Sequence, residues 1–332
     1  MITRIKIQNY RSFVDAEVNL RPFSLVVGAN GSGKSNLLRF FLDSTFQAEN
    51  VRTSERMLVK QDVWSKHQMH TKEHFGFEII FEDGKSVTCT ANKTNNGHFL
   101  YGTLPWKANE VPTFNIDPSK VSEVETIAPK AFIQGNGSGT AQVLDILKNG
   151  DREELFDRIE ENFRRYVPEV EKLSLRSVEN GKKQIQVREK GLKNPLPATA
   201  LSEGTRLVLC ILTILHQENP PPIILLEDID RGLHPRLFEY MAPLMKDIAE
   251  RHNINILATT HNPYLVDCFQ DDKEAVIIVE KKDGASTLST LVDRLKDLDY
   301  DKVDPDDMPL GNLWFSGLVG GVPRPIKLRP HT

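Results

Sequence analysis

Gly28-Ala29-Asn30-Gly31-Ser32-Gly33-Lys34-Ser35 is the stretch whose reading decides the fold of this 332-residue chain. Two glycines separated by four residues, followed by Lys and Ser, make a phosphate-loop pattern. The glycines let successive backbone N–H groups wrap around phosphate oxygens. Lys34 then reaches toward the β- and γ-phosphates, and the Ser35 hydroxyl holds Mg²⁺. The flanks agree with this. Leu25-Val26-Val27 is a short continuous apolar run, as in a strand buried on both faces. Residues 36–46 are apolar on most sides, which predicts a buried helix.

Working outward, residues 4–8 and 14–20 alternate apolar and polar side chains, the period of half-buried strands. Phe75, Phe77, Ile79 and Phe81 alternate likewise, Asp83-Gly84 supplies a hairpin turn into 87–91, and Asn95-Asn96-Gly97 marks another turn. This predicts an antiparallel β insertion over 72–132. A helix over 139–148 ends at Asn149-Gly150. Asp151 and Glu154 have capping-box spacing ahead of a Leu155, Ile159, Phe163 stripe. Asn180-Gly181 joins a second hairpin, 173–178 with 185–188. From 201 the chain alternates: apolar helix 207–215, strand 223–227, helix 235–252, strand 254–259, a helix after Pro263, strand 275–280. That alternation predicts a mostly parallel, covered sheet. The tail, 297–332, is rich in Asp, Pro and Gly, with only Leu313-Trp314-Phe315 and Leu318-Val319 suited to docking.

Three further segments bear polar groups where chemistry could use them. The strand 223–227 runs into Glu227 and Asp228. Carboxylates at the end of a buried strand can sit beside a phosphate loop, one holding Mg²⁺ and the next polarising an attacking water. They can equally cap the following turn. Ser202 and Gly204 open the apolar helix, where free N–H groups make an anion site; Ser202 also reads as an ordinary N-cap. His261 follows a buried strand, either facing a γ-phosphate or satisfied within its loop.

Composition bounds the rest. The chain is 39% hydrophobic and 27% charged, with 42 basic and 46 acidic side chains and a net charge of -4. That excludes a uniformly basic coat for nucleic acid or a cationic membrane binder, while leaving room for one basic face. Cys89, Cys210 and Cys268 are too scattered for a disulfide framework and fit a reducing, cytoplasmic setting. The longest apolar run, 207–215, is too short for the roughly 20 residues of a bilayer span. The N-terminus lacks a signal peptide's apolar region. No membrane partner is expected.

GANGSGKS at 28–35, LSEGT at 201–205, IILLEDIDRGLHP at 223–235 and TTH at 259–261, in that order, resemble the ABC-type ATPases. RIKIQNYRSF at 4–13, GLHP at 232–235 and LWFSGLVGG at 313–321 look like the RecF/SMC-like branch. Within it they resemble the small "AAA family" ATPases of prokaryotic DNA-repair and phage-defence loci. The resemblance covers nearly the whole chain and implies an α/β ATPase head with a mostly parallel sheet core. That head would be a single composite domain over 1–332. It would comprise N-terminal strands and the Walker A helix (1–50), the β insertion (72–132), a helical segment with a hairpin (139–195), the signature, Walker B and switch-histidine core (201–290), and the tail (297–332).

The resemblance also implies roles. Gly28, Ala29, Asn30, Gly31, Ser32, Gly33, Lys34 and Ser35, with Asn36, would be Walker A. Arg11 and Ser12 would lie near the nucleotide. Ser202 and Gly204 would contact the γ-phosphate of ATP held by a second subunit. Glu227 and Ser35 would serve Mg²⁺, Asp228 would stand in the place of the catalytic glutamate, 232–235 would be the D-loop, and His261 the switch histidine. Gln61, Gln68 and Gln134 compete for the Q-loop. The family order is Asp then Glu; here it is Glu227 then Asp228. A base one methylene shorter, displaced by about 1 Å, can cost on the order of 100-fold in rate. Slow basal hydrolysis is therefore expected, with Asp230 as a second candidate for the base.

About 165 residues separate Walker A from the signature, and about 70 follow the histidine. SMC-type coiled-coil arms and a Toprim nuclease are therefore not expected within this stretch. The reading is an ATP-sandwich homodimer or higher oligomer, acting as a nucleotide-driven switch with a separate effector or nuclease, and with DNA or another nucleic acid as a candidate partner. A slow ATP-bound scaffold that restrains an effector is the alternative, and a transporter nucleotide-binding subunit the third. Lys182, Lys183, Arg188, Lys190 and Lys193 on the second hairpin, and Arg324, Lys327 and Arg329 in the tail, are candidate phosphate contacts. Trp64 and Trp106 are read as packing.

Overall fold

Ile5 and Ile7 are wholly buried, while Arg4, Lys6 and Gln8 between and beside them are not. This alternation forms β1 (Ile2–Tyr10) and, across a tight turn, its antiparallel neighbour β2 (Phe13–Asn19). In this computed structural model the described residues are 1–49, 74–94, 97–101, 111–128, 130–298 and 308–323. The chain divides into two units, Met1–Ala108 with Leu257–Thr332, and Asn109–Ile256. Elements are numbered along the chain.

The first unit is built on one sheet. The expected buried run is β3 (Phe23–Val27), all five residues buried. It pairs in parallel with β14 (Val276–Lys282), and the order continues through β13 (Asn255–Thr259) on its other side. Away from this parallel core the sheet turns antiparallel: β2, β1, β4 (His74–Phe81), β5 (Ser86–Thr94) and β6 (Gly97–Tyr101). Asp83-Gly84 makes the β4–β5 turn as read: Gly84 has φ +80° and Asp83 accepts from the Lys85 amide. Helix α1 (Lys34–Glu49) covers the sheet with Phe40. That ring meets Tyr10 and Phe77 edge-on at 5.7 and 5.2 Å, and burial of each such ring stabilises by about 2 kcal/mol or more.

The second unit holds the parallel pair β7 (Thr113–Phe114) and β12 (Ile223–Leu226), and a small antiparallel sheet. In the latter, β10 (Lys182–Glu189) pairs with β9 (Val170–Val178), β8 (Glu125–Thr126) and β11 (Leu196–Pro197). Asn180 and Gly181 both have positive φ, +60° and +70°, so the second hairpin turns where the Asn-Gly pair predicts. Helices α2 (Pro118–Val121), α3 (Thr140–Asn149), α4 (Glu153–Tyr166), α5 (Glu203–Leu215) and α6 (Phe238–His252) complete the unit. Every residue of α5 from 207 to 215 is buried.

Several expectations need correcting. The span 72–132 is not one antiparallel insertion: β4 to β6 extend the first unit's sheet, β7 runs parallel to β12, and β8 joins the small sheet. No capping box forms at Asp151; Arg152 precedes α4 without a side-chain cap and pairs with Glu154 instead. A capping box does form at Thr290 and Asp293, opening α8 (Leu291–Lys296) after β15 (Ala285–Thr290), a strand the sequence reading lacked. In the tail, Leu313, Trp314 and Val319 are buried, but Phe315 and Leu318 are exposed. Two of the five hairpin cations are already paired, Lys183 with Asp145 at 3.1 Å and Arg188 with Glu171 at 3.0 Å. Gln61, Gln68, Trp64, Trp106, Asn95, Asn96, Arg324, Lys327 and Arg329 lie outside the described residues. No helix among those described is long and apolar enough to cross a membrane.

Candidate functional site

In the first unit, β3 delivers the chain into the loop at Gly28, and α1 begins at Lys34. Gly28 and Gly33 are demanded by close approach. A Cβ on Gly28 would stand 2.3 Å from the Val279 carbonyl oxygen of β14. One on Gly33 would stand 2.7 Å from Ser286 Oγ and 3.0 Å from Ser12 Oγ. Gly31 and Gly33 have φ of +74° and +121°, a region closed to most side chains. The Ser32 amide donates to Ala29 O at 3.1 Å, which tightens the turn. Lys34 is buried at 7% exposure and folds back, donating from Nζ to Gly28 O at 2.8 Å and Ala29 O at 3.2 Å. Ser35 is exposed on the first turn of α1.

Ser12 and Asn36 meet: Asn36 Nδ2 donates to Ser12 Oγ at 2.9 Å. Ser286 was not foreseen. Its Oγ donates to Ser32 O and its amide to Ser12 O, so β15 braces the loop from behind. The only sequence signal for it is a serine in an alternating stretch, which nothing local distinguishes. Arg11 is directed elsewhere. Its Nη2 pairs with Asp43 at 2.9 Å, and Tyr10 Oη donates to the same carboxylate at 2.8 Å. Asp43 lies eight residues, about 12 Å, along α1 from Ser35. Burial beside Asp43 drives the Tyr10 phenol far above its ordinary range, and the Asp43 and Tyr10 hydrogen bonds hold the Arg11 guanidinium protonated against its own burial.

His261 comes from the end of β13, where the Thr260 amide donates to Val26 O of β3 at 3.2 Å. The next residue, Asn262, caps α7 (Pro263–Asp267) by accepting from the Tyr264 amide. His261 is exposed, and with Gly28, Ala29 and Asn30 it lines one cleft of about 680 Å³. The far wall of that cleft is the C-terminal segment from Trp314 to Pro323, with Glu280.

In the second unit, β12 ends at Leu226, one residue short of the expected boundary. The Glu227 amide donates to Phe114 O of β7 at 2.8 Å. Asp228 is exposed and has φ +48°, a left-handed conformation that Asp and Asn tolerate better than other side chains. Arg231 N donates to Asp228 O and Leu233 N to Asp230 O, which winds the chain into 232–235. His234 then caps the turn, Nδ1 accepting from the Arg236 amide at 3.2 Å. Asn115, at the carboxyl end of β7, shares a crevice with Glu227 and Asp228 and was not singled out in the sequence. Ligands of parallel sheets sit at that end of the strands. Gln134, the described Q-loop candidate, is exposed on the loop whose Gly135 carbonyl accepts from the Asn115 amide.

Ser202 is the N-cap of α5, accepting from the Thr205 amide at 3.1 Å, and its side chain remains exposed. Gly204 is needed because a Cβ there would stand 2.8 Å from Gly232 O. Within this unit, therefore, the 201–205 and 232–235 motifs are packed directly on each other.

Residues 1–43 match the family model "AAA ATPase domain", and residues 140–267 match "AAA domain, putative AbiEii toxin, Type IV TA system". No curated protein matches the sequence. Among solved structures the chain is similar to an Smc head bound to the C-terminal winged-helix domain of ScpA (17% identity, TM-score 0.56, covering 87% of this chain and 97% of that one). It is also similar to the SMC head domain from Thermotoga maritima (17%, 0.50, 87% and 98%). A third similar structure is an Smc head domain with an extended coiled coil, bound to the C-terminal domain of ScpA derived from Pyrococcus furiosus (16%, 0.57, 91% and 99%).

Proposed function

From a chain with the SMC-head fold and two AAA ATPase domain segments, we propose an ATP-binding, ATP-hydrolysing switch that works as a nucleotide-bridged dimer with a separate partner protein. The observation that carries this reading is the loop 28–35. Its first and last glycines are backed so closely by Val279 O, Ser286 Oγ and Ser12 Oγ that no side chain fits. The buried Ser32 Oγ inside it has no hydrogen-bond partner. Such a backbone cradle at the start of a sixteen-residue helix fits phosphate oxygens.

In this reading Lys34 Nζ leaves the loop carbonyls for the β- and γ-phosphates, and the amides of Gly31, Gly33, Lys34 and Ser35 donate to the same oxygens. Ser35 and Glu227 would hold Mg²⁺, which when bound neutralises phosphate charge. Asp228 orients the attacking water and His261 contacts the γ-phosphate side. Ser202, exposed, and Gly204, half-buried, at the head of α5 serve the nucleotide of a second copy. Arg11 contributes indirectly, by fixing the β1–β2 turn and thus Ser12. The partner is inferred from the two relatives whose structures include ScpA domains; DNA or an antiviral or repair effector is the class of partner proposed here, in the cytoplasm.

Isothermal titration of Mg·ATP into the wild type and Lys34→Ala, with phosphate release measured in parallel, tests the reading. Binding in the wild type and a loss of 100-fold or more in Lys34→Ala are expected; equal affinity in the two proteins would refute it. A second reading, an ATP-bound scaffold with negligible turnover, is favoured by one observation: Asp228 carries the shorter carboxylate in a left-handed backbone. Phosphate release that stays absent with DNA and with the copurifying partner would select it.

A further inference from the structure

The C-terminal segment meets the phosphate loop at its first glycine. Gly320 and Gly321 both have positive φ, +78° and +72°. A Cβ on Gly321 would stand 2.6 Å from Ile278 Cγ2 of β14, 3.3 Å from Trp314 Nε1 and 3.8 Å from Gly28 Cα. Gly321, the Trp314 indole nitrogen and Gly28 therefore converge on one corner of the cleft.

Trp314 is 4% exposed, and its Nε1–H has no acceptor. Indole nitrogen is a donor only, and a buried donor left unpaired is rare in a folded protein. Its carrier, α9 (Leu310–Phe315), is held firmly. Gly311 N donates to Asp267 Oδ1 of α7 at 2.7 Å, and a Cβ at Gly311 would stand 2.2 Å from Pro263 O. Helix α7 starts two residues after His261. One short helix thus bridges the His261 wall and the Gly28 wall of the cleft.

On the other side of that corner, the first two carbonyls of the loop, Gly28 O and Ala29 O, accept from Lys34 Nζ. A nucleotide drawing Lys34 onto its phosphates would take that donor away. Ala29 O would keep the Ser32 amide, whereas Gly28 O would lose the Lys34 donor, and both Gly28 Cα and the unpaired Trp314 Nε1 lie within 4 Å of the Gly321 Cβ position.

We infer that Trp314 is a positioning residue that senses nucleotide by exchange. As Lys34 turns to the phosphates, the Trp314 indole N–H replaces it on a carbonyl at the start of the loop, and the C-terminal segment tightens onto Gly28. This rests on the nucleotide-binding reading above. It adds that the tail reports occupancy of the loop in the same chain, and that α9 and α7 carry the report to His261.

The indole ¹H–¹⁵N resonances of the full chain test it directly, with Trp314 assigned by the peak lost in Trp314→Phe. Mg²⁺ with a non-hydrolysable ATP analogue should move the Trp314 indole proton downfield, as gain of an acceptor requires. Lys34→Ala, without any nucleotide, should move it the same way, because the mutation takes the Lys34 donor from Gly28 O. Trp314→Phe, which keeps an aromatic ring but no donor, should weaken binding of the analogue about fivefold. An unmoved Trp314 resonance in a sample that calorimetry shows to be saturated overturns the exchange, and so does an unmoved resonance in Lys34→Ala. Absence of binding to the wild type instead overturns the nucleotide reading, and the Lys34→Ala spectrum still decides the exchange.

Discussion

Asp228 concentrates what a single residue decides here. Its φ of +48° places it where a left-handed backbone costs most L-residues about 1 kcal/mol or more, and Asp and Asn least. In the proposed function the same position also supplies a carboxylate to the attacking water, so the shorter acid suits the backbone while reaching one methylene less far. Two substitutions separate these demands. Asp228→Asn keeps the conformation and loses the charge: its melting temperature should match the wild type while phosphate release falls about 100-fold or more. Asp228→Glu should raise turnover if reach limits the rate, at a stability cost of about 1 kcal/mol from the strained backbone. Unchanged turnover in Asp228→Glu would sink the idea that the missing methylene slows hydrolysis. Glu227 and Asp228 were legible as a strand-end acid pair. The conformation of Asp228 was not, because a positive φ depends on where the chain must go next.

Among the elements, α5 shows how a helix can be committed at both ends. Ser202 caps its N-terminus, and His216 closes its C-terminus, donating its amide to Leu212 O at 3.1 Å. His216 is 8% exposed. Its ring faces Asn162 and Arg158 of α4 and Arg251 and His252 of α6, and Arg251 is itself paired with Asp247. Burial first, then the charges of Arg158, Arg251 and His252, pull its pKa down from 6.5 to about 4. The folded chain therefore binds fewer protons than the unfolded chain between those values. The stability His216 protects is complete above pH 6.5 and is lost as pH falls toward 4, by about 3 kcal/mol in all. Denaturant melts across pH 7 to 4 should show this fall, and His216→Phe should flatten it by a similar amount; parallel curves for the two proteins would contradict it. The apolar run 207–215 announced the helix. The capping box was expected at Asp151 and found at Thr290, because the spacing alone does not say which backbone turns into a helix.

At the scale of the whole molecule, Ser202 stands exposed and Gly204 half-buried at the head of α5, and the Ser202 hydroxyl meets only the amide and hydroxyl of Thr205. If a second copy completes the site, Asp228→Asn with Mg·ATP should double the mass seen by light scattering from 37.6 kDa. No nucleotide-dependent change, in a protein that is not already an oligomer, would rule out the sandwich. Much of the architecture was readable: the phosphate loop, the parallel core strands and both hairpin turns rest on local chemistry, glycine spacing and apolar runs. What escaped was non-local. Splitting 72–132 between two sheets, inserting β15 beside β2, and turning Arg11 to Asp43 all depend on partners more than thirty residues away in sequence.

By itself the sequence determined the fold class and the order of its motifs, because period, turn residues and glycine-lysine spacing act over a few neighbouring residues. Only the tertiary structure decided why Gly28 and Gly33 must be glycine, since the atoms that forbid a side chain belong to Val279, Ser286 and Ser12. It alone brought Trp314 beside Gly28, across 286 residues of chain, because close packing of the tail against β14 is a contact no local pattern encodes.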